Sequence, residues 1–194
     1  MSDAHHGYED ATVVMNADTM SDVVEILARD IAAATDGIES LVLLGILTRG
    51  KPLADRIAAR IDAITGHSPR VGALATTLYR DDLRSGKSVT RGEQVTHFDF
   101  DVNGATVLLV DDVLSTGRTV RAALDEIVDY GRPKRIQLAC LVDRGHRELP
   151  IQADFLGQKI PTDPYDHVRV RLSELDGEDA VLLERRSADP VDAV

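Results

Sequence analysis

Apolar residues fall along this chain in two alternating rhythms. Unbroken runs at 41–46 (Leu-Val-Leu-Leu-Gly-Ile), 107–110 (Val-Leu-Leu-Val) and 136–142 have the length and continuity of strands buried on both faces, as in parallel sheets. Between them the spacing changes to three and four. Val23, Ile26, Leu27, Ile31 and Ala34 form one helical stripe, with Asp18 or Thr19 as N-cap and an end before Gly37. Leu53, Ile57, Ile61 and Ile64 form a second, with Pro52 near its start and Gly66 closing it. Val120, Ala123, Leu124, Ile127 and Val128 form a third over about 118–130, stopped by Gly131 and Pro133. Another strand is predicted over 71–78, shorter ones near 153–156, 168–171 and 180–183, and an edge strand over 11–15. Strands alternating with helices predict an α/β fold around a mostly parallel central sheet.

The rhythm lapses in three places. Residues 80–96 run polar, with Gly86 and Gly92, which predicts a lid or a disordered segment. Residues 1–10 are polar and terminal and are expected to be disordered; residues 185–194 read as a tail. Between these ends the chain of 194 residues makes one domain, spanning 11–184, large enough to bury a core without staples.

Composition narrows the class. The lone Cys140 lies inside an apolar run, which excludes an internal disulfide framework and a Cys-rich metal site and fits a reducing cytosol. No apolar stretch approaches the ~20 residues that cross a bilayer, and the start is neither signal nor transit peptide, so the expected location is cytoplasmic, with no membrane partner. The net charge of −11 argues against a polyanionic partner until its distribution is read. Residues 1–22 hold five acids and no Lys or Arg, and residues 173–194 hold seven acids against two Arg, so the body of the chain is nearly neutral.

The chemistry gathers where the strands end. After the run 107–110 come Asp111, Asp112, Val113, Leu114, Ser115, Thr116, Gly117, Arg118 and Thr119, and then the third helix. A Ser/Thr/Gly turn at a helix N-terminus offers N–H donors, hydroxyls and positive potential to a phosphate. Gly117 permits close approach or a positive φ. Asp111 and Asp112 repel that phosphate, so they face another part of the ligand: ribose hydroxyls or a Mg²⁺ ion beside them. Thr48 and Arg49, after the first buried strand, add a hydroxyl and a charged fork suited to phosphate oxygens. Strand-end loops of an open α/β sheet share one ligand. Arg80, at the base of the polar segment, would reach that ligand when a lid closes. A third strand-end loop, 143–150, carries Arg144, His146 and Arg147. In 157–162, Pro161 biases Ile160 to an extended backbone, which would present its N–H and C=O as the donor and acceptor a pyrimidine edge needs. Ser85-Gly86-Lys87-Ser88 resembles a P-loop tail but lacks the required glycine at Asp81, and no HExxH, CxxC or GxGxxG occurs.

The acidic pair with its turn resembles the phosphoribosyl-pyrophosphate (PRPP) motif of type I phosphoribosyltransferases. Gly45…Thr48-Arg49-Gly50, Thr77 through Leu83, Gly131-Arg132-Pro133 and above all Val142-Asp143-Arg144-Gly145-His146-Arg147-Glu148-Leu149-Pro150 narrow the resemblance to the PyrR family, over about residues 40–184. That resemblance implies a type I phosphoribosyltransferase fold with a small hood from about 150–170 and a flexible lid. It implies conversion of uracil and PRPP to UMP and pyrophosphate with Mg²⁺. Thr48, Arg49 and Arg80 would hold pyrophosphate, Asp111 and Asp112 the ribose and, through PRPP, the metal, and residues 113–119 the 5′-phosphate. Arg144 and Ile160 would address uracil. Catalysis would fall to Asp111, Asp112, Arg49 and Arg80, by charge stabilisation of an oxocarbenium-like sugar.

The family's second role is binding pyrimidine-operon leader mRNA under UMP or UTP control. Here Arg132, Arg135, His146 and Arg147 would form the basic patch, doubled in a homo-oligomer, with salt-sensitive affinity. The family's N-terminal helix usually reads Thr-Arg-Ile-Ala-His-Glu on the RNA face; the aligned stretch here is Glu25-Ile26-Leu27-Ala28-Arg29-Asp30, with a Glu where a Thr meets phosphate. Two alternatives stay open: a nucleobase salvage enzyme without an RNA role, and a nucleotide-sensing regulator with little turnover.

Overall fold

A computed structural model of the chain describes residues 8–76 and 95–186. Its elements are β1 (Tyr8–Met15), α1 (Ala17–Ala34), β2 (Leu41–Ile46), α2 (Gly50–Thr65), β3 (Arg70–Leu74), β4 (Thr106–Leu114), α3 (Arg118–Tyr130), β5 (Arg135–Asp143), β6 (Phe155–Lys159), β7 (His167–Arg171), the single turn α4 (Ser173–Asp176) and β8 (Ala180–Arg186). Strands β3-β2-β4-β5-β6 lie in that order in one parallel sheet. The continuous apolar runs are its inner strands: all of β2 is buried, as is β4 from Thr106 to Asp111.

Alternation along each strand sends its side chains to two separate cores. Leu41, Leu43, Leu108, Val110, Ala139 and Leu141 meet α1 and α2; Val42, Leu44, Val107, Leu109, Leu138 and Cys140 meet α3. From β2 the chain steps outward to β3, and then returns to place β4 on the other side of β2. The loops leaving β2 and β4 therefore diverge, opening a crevice at the carboxyl ends of these two strands.

The hood differs from the expectation. Residues 155–159 pair with β5 and extend the main sheet, with Ala139 opposite Phe155. The second sheet is instead antiparallel, in order β1-β8-β7, joining the two ends of the described residues and packing Val168, Val170, Leu172, Val181 and Leu183 on the α1/α2 side. Pairing lengthens both end strands beyond the expected domain limits, back to Tyr8 and on to Arg186. The cap of α1 is Asn16, whose side chain accepts the Thr19 N–H at 2.9 Å; Asp18 and Thr19 lie within the first turn. Ile26, placed on the buried stripe by spacing, is 55% exposed, and Met20, Val24 and Ala28 take the inner face with Leu27 and Ile31. Of the strand predicted over 71–78, the structure shows Arg70–Leu74. Most of the polar stretch, with Arg80, lies outside the described residues.

Candidate active site

Strand β4 does not stop at the acidic pair; it runs through it to Leu114. Each carboxylate bonds the next N–H: Asp111 Oδ1 accepts from Asp112 and Asp112 Oδ1 from Val113, both at 3.0 Å. The inside–outside alternation shifts by one residue there, since Val113 joins the core of Val110 and Leu114 that of Leu109. This shift brings Asp112 and Val113 partly to the surface while Asp111 stays 6% exposed. Below them Cys140 sits opposite Asp111 in register, and burial, reinforced by the charges of Asp111 and Asp112, pushes its thiol well above the usual range. It is a packed apolar group rather than a nucleophile.

The loop after β2 is brought to β4 by two glycines. A Cβ on Gly50 would stand 2.3 Å from the Val110 carbonyl oxygen, and one on Gly45 would stand 2.4 Å from Gly50 O. Backbone therefore packs on backbone, and the start of α2 lies against the strand that carries the acids. Between the glycines come Thr48, reached through a cis peptide from Leu47, and Arg49, the residue capping α2. Arg49 Nη2 meets both oxygens of Asp176 in α4, at 3.1 and 3.3 Å. Further along α2, Arg56 holds Glu174, Asp179 and the Ser173 hydroxyl.

The turn after β4 leads into α3 through Gly117, at φ +91°, with no side-chain cap on the helix. A residue with a Cβ is strained at that φ. Thr116 Oγ1 accepts the Arg118 N–H at 3.3 Å, and the helix N-terminus that begins there favours an anion. Arg118 pairs with Glu148 across the turn. Two buried polar atoms around the crevice have no hydrogen-bond partner among the described residues: Ser115 Oγ and Arg49 Nε. Orphaned buried polar atoms are costly without a ligand or water to satisfy them.

The loop after β5 meets this turn and the segment beyond β6. Arg144 Nη1 donates to the Asp166 carbonyl at 3.1 Å, and His146 Nε2 lies 2.9 Å from the Thr162 carbonyl oxygen. Ile160 is 6% exposed, and its N–H donates to the Asp143 carbonyl at 2.8 Å. The expected donor–acceptor pair at Ile160 is thereby corrected: its N–H is taken up by the β5–β6 ladder.

The expected basic patch is also divided. Arg132 and Arg135 lie at the start of β5, whereas His146 and Arg147 follow its end, about 26 Å away at the rise of a strand. Arg147 is turned inward: Nη2 meets Asp143 Oδ2 at 2.6 Å, Nε the Ile151 carbonyl at 2.7 Å and Nη1 the Ser115 carbonyl at 2.7 Å. Burial pulls the Asp143 carboxyl upward, but Arg147 and the Gly145 N–H outweigh it and hold the group below the usual range.

Sequence reasoning missed Asp176, Asp166 and Glu148. The first two act from positions far along the chain, Asp176 in α4 and Asp166 in the segment before β7, which no local spacing reports; Glu148, within the quoted motif, was visible but had no partner in view. Among the described residues no three carboxylate, His or Cys groups cluster as a metal cage. The two adjacent carboxylates fit a Mg²⁺ that takes most of its ligands from substrate oxygens and water. No helix among the described residues is long and apolar enough to cross a membrane.

A family model described as "Phosphoribosyl transferase domain" matches residues 14–174. The chain is 49% identical over 173 residues to the "Bifunctional protein PyrR" of Clostridioides difficile, covering 88% of this chain and 96% of that protein. It is 52% identical over 178 residues to the protein of the same name from Thermus thermophilus, covering 90% and 97%. The crystal structure of the hypoxanthine phosphoribosyltransferase of Trypanosoma cruzi superposes with a TM-score of 0.66 at 15% identity, over 91% of this chain and 97% of that one, a likeness of fold.

Proposed function

Since the chain belongs to the PyrR family of type I phosphoribosyltransferases, we propose that it transfers the phosphoribosyl group of PRPP to uracil, forming UMP and pyrophosphate. We further propose that it binds pyrimidine-gene leader mRNA under uridine-nucleotide control. The observation that carries the enzymatic reading is the meeting of two loops at the β2/β4 crevice, one with an orphaned Arg49 Nε and one with an orphaned Ser115 Oγ.

In this reading residues 113–119 and the N-terminal end of α3 take the 5′-phosphate. Asp111 and Asp112 take the ribose hydroxyls. Thr48 and Arg49 hold the pyrophosphate, joined by Arg80. Arg144 and the Ile160 carbonyl face uracil. The C1′–oxygen bond to pyrophosphate breaks, the bond from uracil nitrogen to C1′ forms, and the proton of that nitrogen is released to water. Positive charge grows on the sugar beside Asp111 and Asp112 while negative charge grows on the leaving group beside Arg49, so the chain's fixed charges match both. Mg²⁺ bound with PRPP supplies further charge neutralisation on the pyrophosphate. The protein is proposed to work in the cytoplasm as a homo-oligomer, with Arg132, Arg135 and His146 among the RNA contacts.

A second reading, salvage without RNA binding, draws on two observations: Arg147 is engaged internally, and Arg29 pairs with Glu25 on its own helix at 3.0 Å. The test is PRPP-dependent UMP formation by the purified protein, with hypoxanthine and orotate alongside, followed by RNA titration in rising salt. Turnover with uracil alone supports the enzymatic reading, and turnover with hypoxanthine overturns it. RNA affinity that ignores UMP and salt leaves salvage as the function.

A further inference from the structure

Three consecutive carbonyls, the last of β4 and the first two of the turn after it, are held by the loop after β5. Leu114 O accepts the Arg144 N–H at 3.0 Å, and Thr116 O accepts those of Glu148 and Leu149 at 3.0 and 3.1 Å. Between them, Ser115 O accepts Nη1 of Arg147 at 2.7 Å. In a trans planar peptide the carbonyl and the following N–H point opposite ways. Anchoring these carbonyls to the loop therefore turns the N–H groups of Ser115, Thr116 and Gly117 away from that loop. A run of such N–H groups is an anion cradle.

Two of the three carbonyls are held by main-chain N–H groups. The middle one is held by a side chain, that of Arg147. Besides Ser115 O, Arg147 meets the carbonyls of Ile151 and Gly145 and the Asp143 carboxylate, and the pair with Asp143 is mostly shielded from solvent. A planar guanidinium can satisfy these directions at once; an ammonium on a shorter reach cannot.

We infer that Arg147 is the positioning residue of the 5′-phosphate site: by fixing the Ser115 carbonyl it aims the turn's N–H groups and sets the preference for phosphorylated over unphosphorylated nucleosides. This rests on the reading of residues 113–119 as the phosphate turn. It gives the Asp143–Pro150 motif a role inside the active site, distinct from contact with RNA.

The experiment measures equilibrium binding of UMP and of uridine to the full chain carrying Arg147→Gln, Arg147→Lys or Thr119→Val. Arg147→Gln is expected to weaken UMP by about tenfold or more while uridine stays within about twofold, because only the phosphate contacts are misaimed. Arg147→Lys keeps the charge and serves if the Gln variant fails to fold; it should show the same selective loss. Equal weakening of UMP and uridine means a general structural role and overturns the inference, as does unchanged UMP affinity in Arg147→Lys. If Thr119→Val collapses the UMP preference and the Arg147 variants do not, the phosphate turn stands and the role of Arg147 falls. If Thr119→Val leaves the preference intact, the phosphate reading fails and the inference with it.

Discussion

The carboxylate of Asp176 holds Nη2 of Arg49 with both oxygens, across 127 positions of the chain. The grip is itself braced. Asp176 Oδ2 accepts the Leu172 N–H at 2.9 Å, the Asp176 N–H donates to Leu172 O at 2.7 Å, and Arg56 ties Glu174 and Asp179 to the same helix α2. The turn between β7 and β8 therefore reaches over the start of α2 and sets the direction of the cation proposed to receive pyrophosphate.

Releasing that cation should cost PRPP affinity before it costs chemistry. Asp176→Ala is expected to raise KM for PRPP about fivefold, the equivalent of ~1 kcal/mol for one partly exposed charged contact, with a smaller change in kcat. Initial rates at saturating uracil measure it. An unchanged KM would show that Arg49 finds its orientation without Asp176.

The Arg56 cluster should appear in the acid limb of stability. Arg56 draws Glu174 below the usual carboxylate range; burial pushes Asp179 up, yet Arg56 and the Ser173 N–H bring it below as well. Folded-state values below the unfolded ones mean that the stabilisation is complete above about pH 5, clear of the unfolded values, and fades as pH falls through the lowered ones. Arg56→Ala should cost about 1–2 kcal/mol near neutrality, discounted for the half-exposed Glu174, and much less at pH 3. Denaturant melts at both pH values test it; a loss that is the same at each would remove the carboxylates from the account.

Gly50→Ala places a methyl group against the Val110 carbonyl with backbone on both sides. The expected cost is about 3 kcal/mol, since neither β2 nor β4 can give way inside the sheet. In any folded fraction the displaced loop should lose PRPP binding. Full stability in the alanine variant would mean that α2 can start further from β4 than it does here.

At the other end of β5, Arg132→Ala with Arg135→Ala should lower RNA affinity and reduce its salt slope by about one for each phosphate no longer neutralised. UMP formation by the same variant is the control for folding. An unchanged salt slope would place the RNA surface elsewhere.

The parts of the fold that follow from local pattern were legible along the chain. Residues 41–46 and 118–130 are the strand and helix their apolar spacing predicts. The acidic pair was legible as a strand-end feature but not as strand, because Asp111 and Asp112 bond their own neighbours and shift the alternation that a period-two reading assumes. Ile160 was read from its proline and not from its partner strand, so the ladder bond to Asp143 was invisible. Arg147 and Arg135 look alike as charges in sequence; only the three-dimensional surroundings turn one inward and leave the other exposed. Pairing of β1 with β8 joins segments nearly a whole chain apart and leaves no trace in either segment alone.

That same pairing has a topological consequence. Tyr8 stands opposite Arg186 in register, so the two ends of the described chain meet at one rung of an antiparallel ladder, roughly 5 Å apart by ordinary strand geometry. The described residues are in effect a loop with a seam. A covalent join across the seam, with a new opening cut in a surface connection such as the turn at Gly104, would reorder the gene without moving either core or the crevice between β2 and β4.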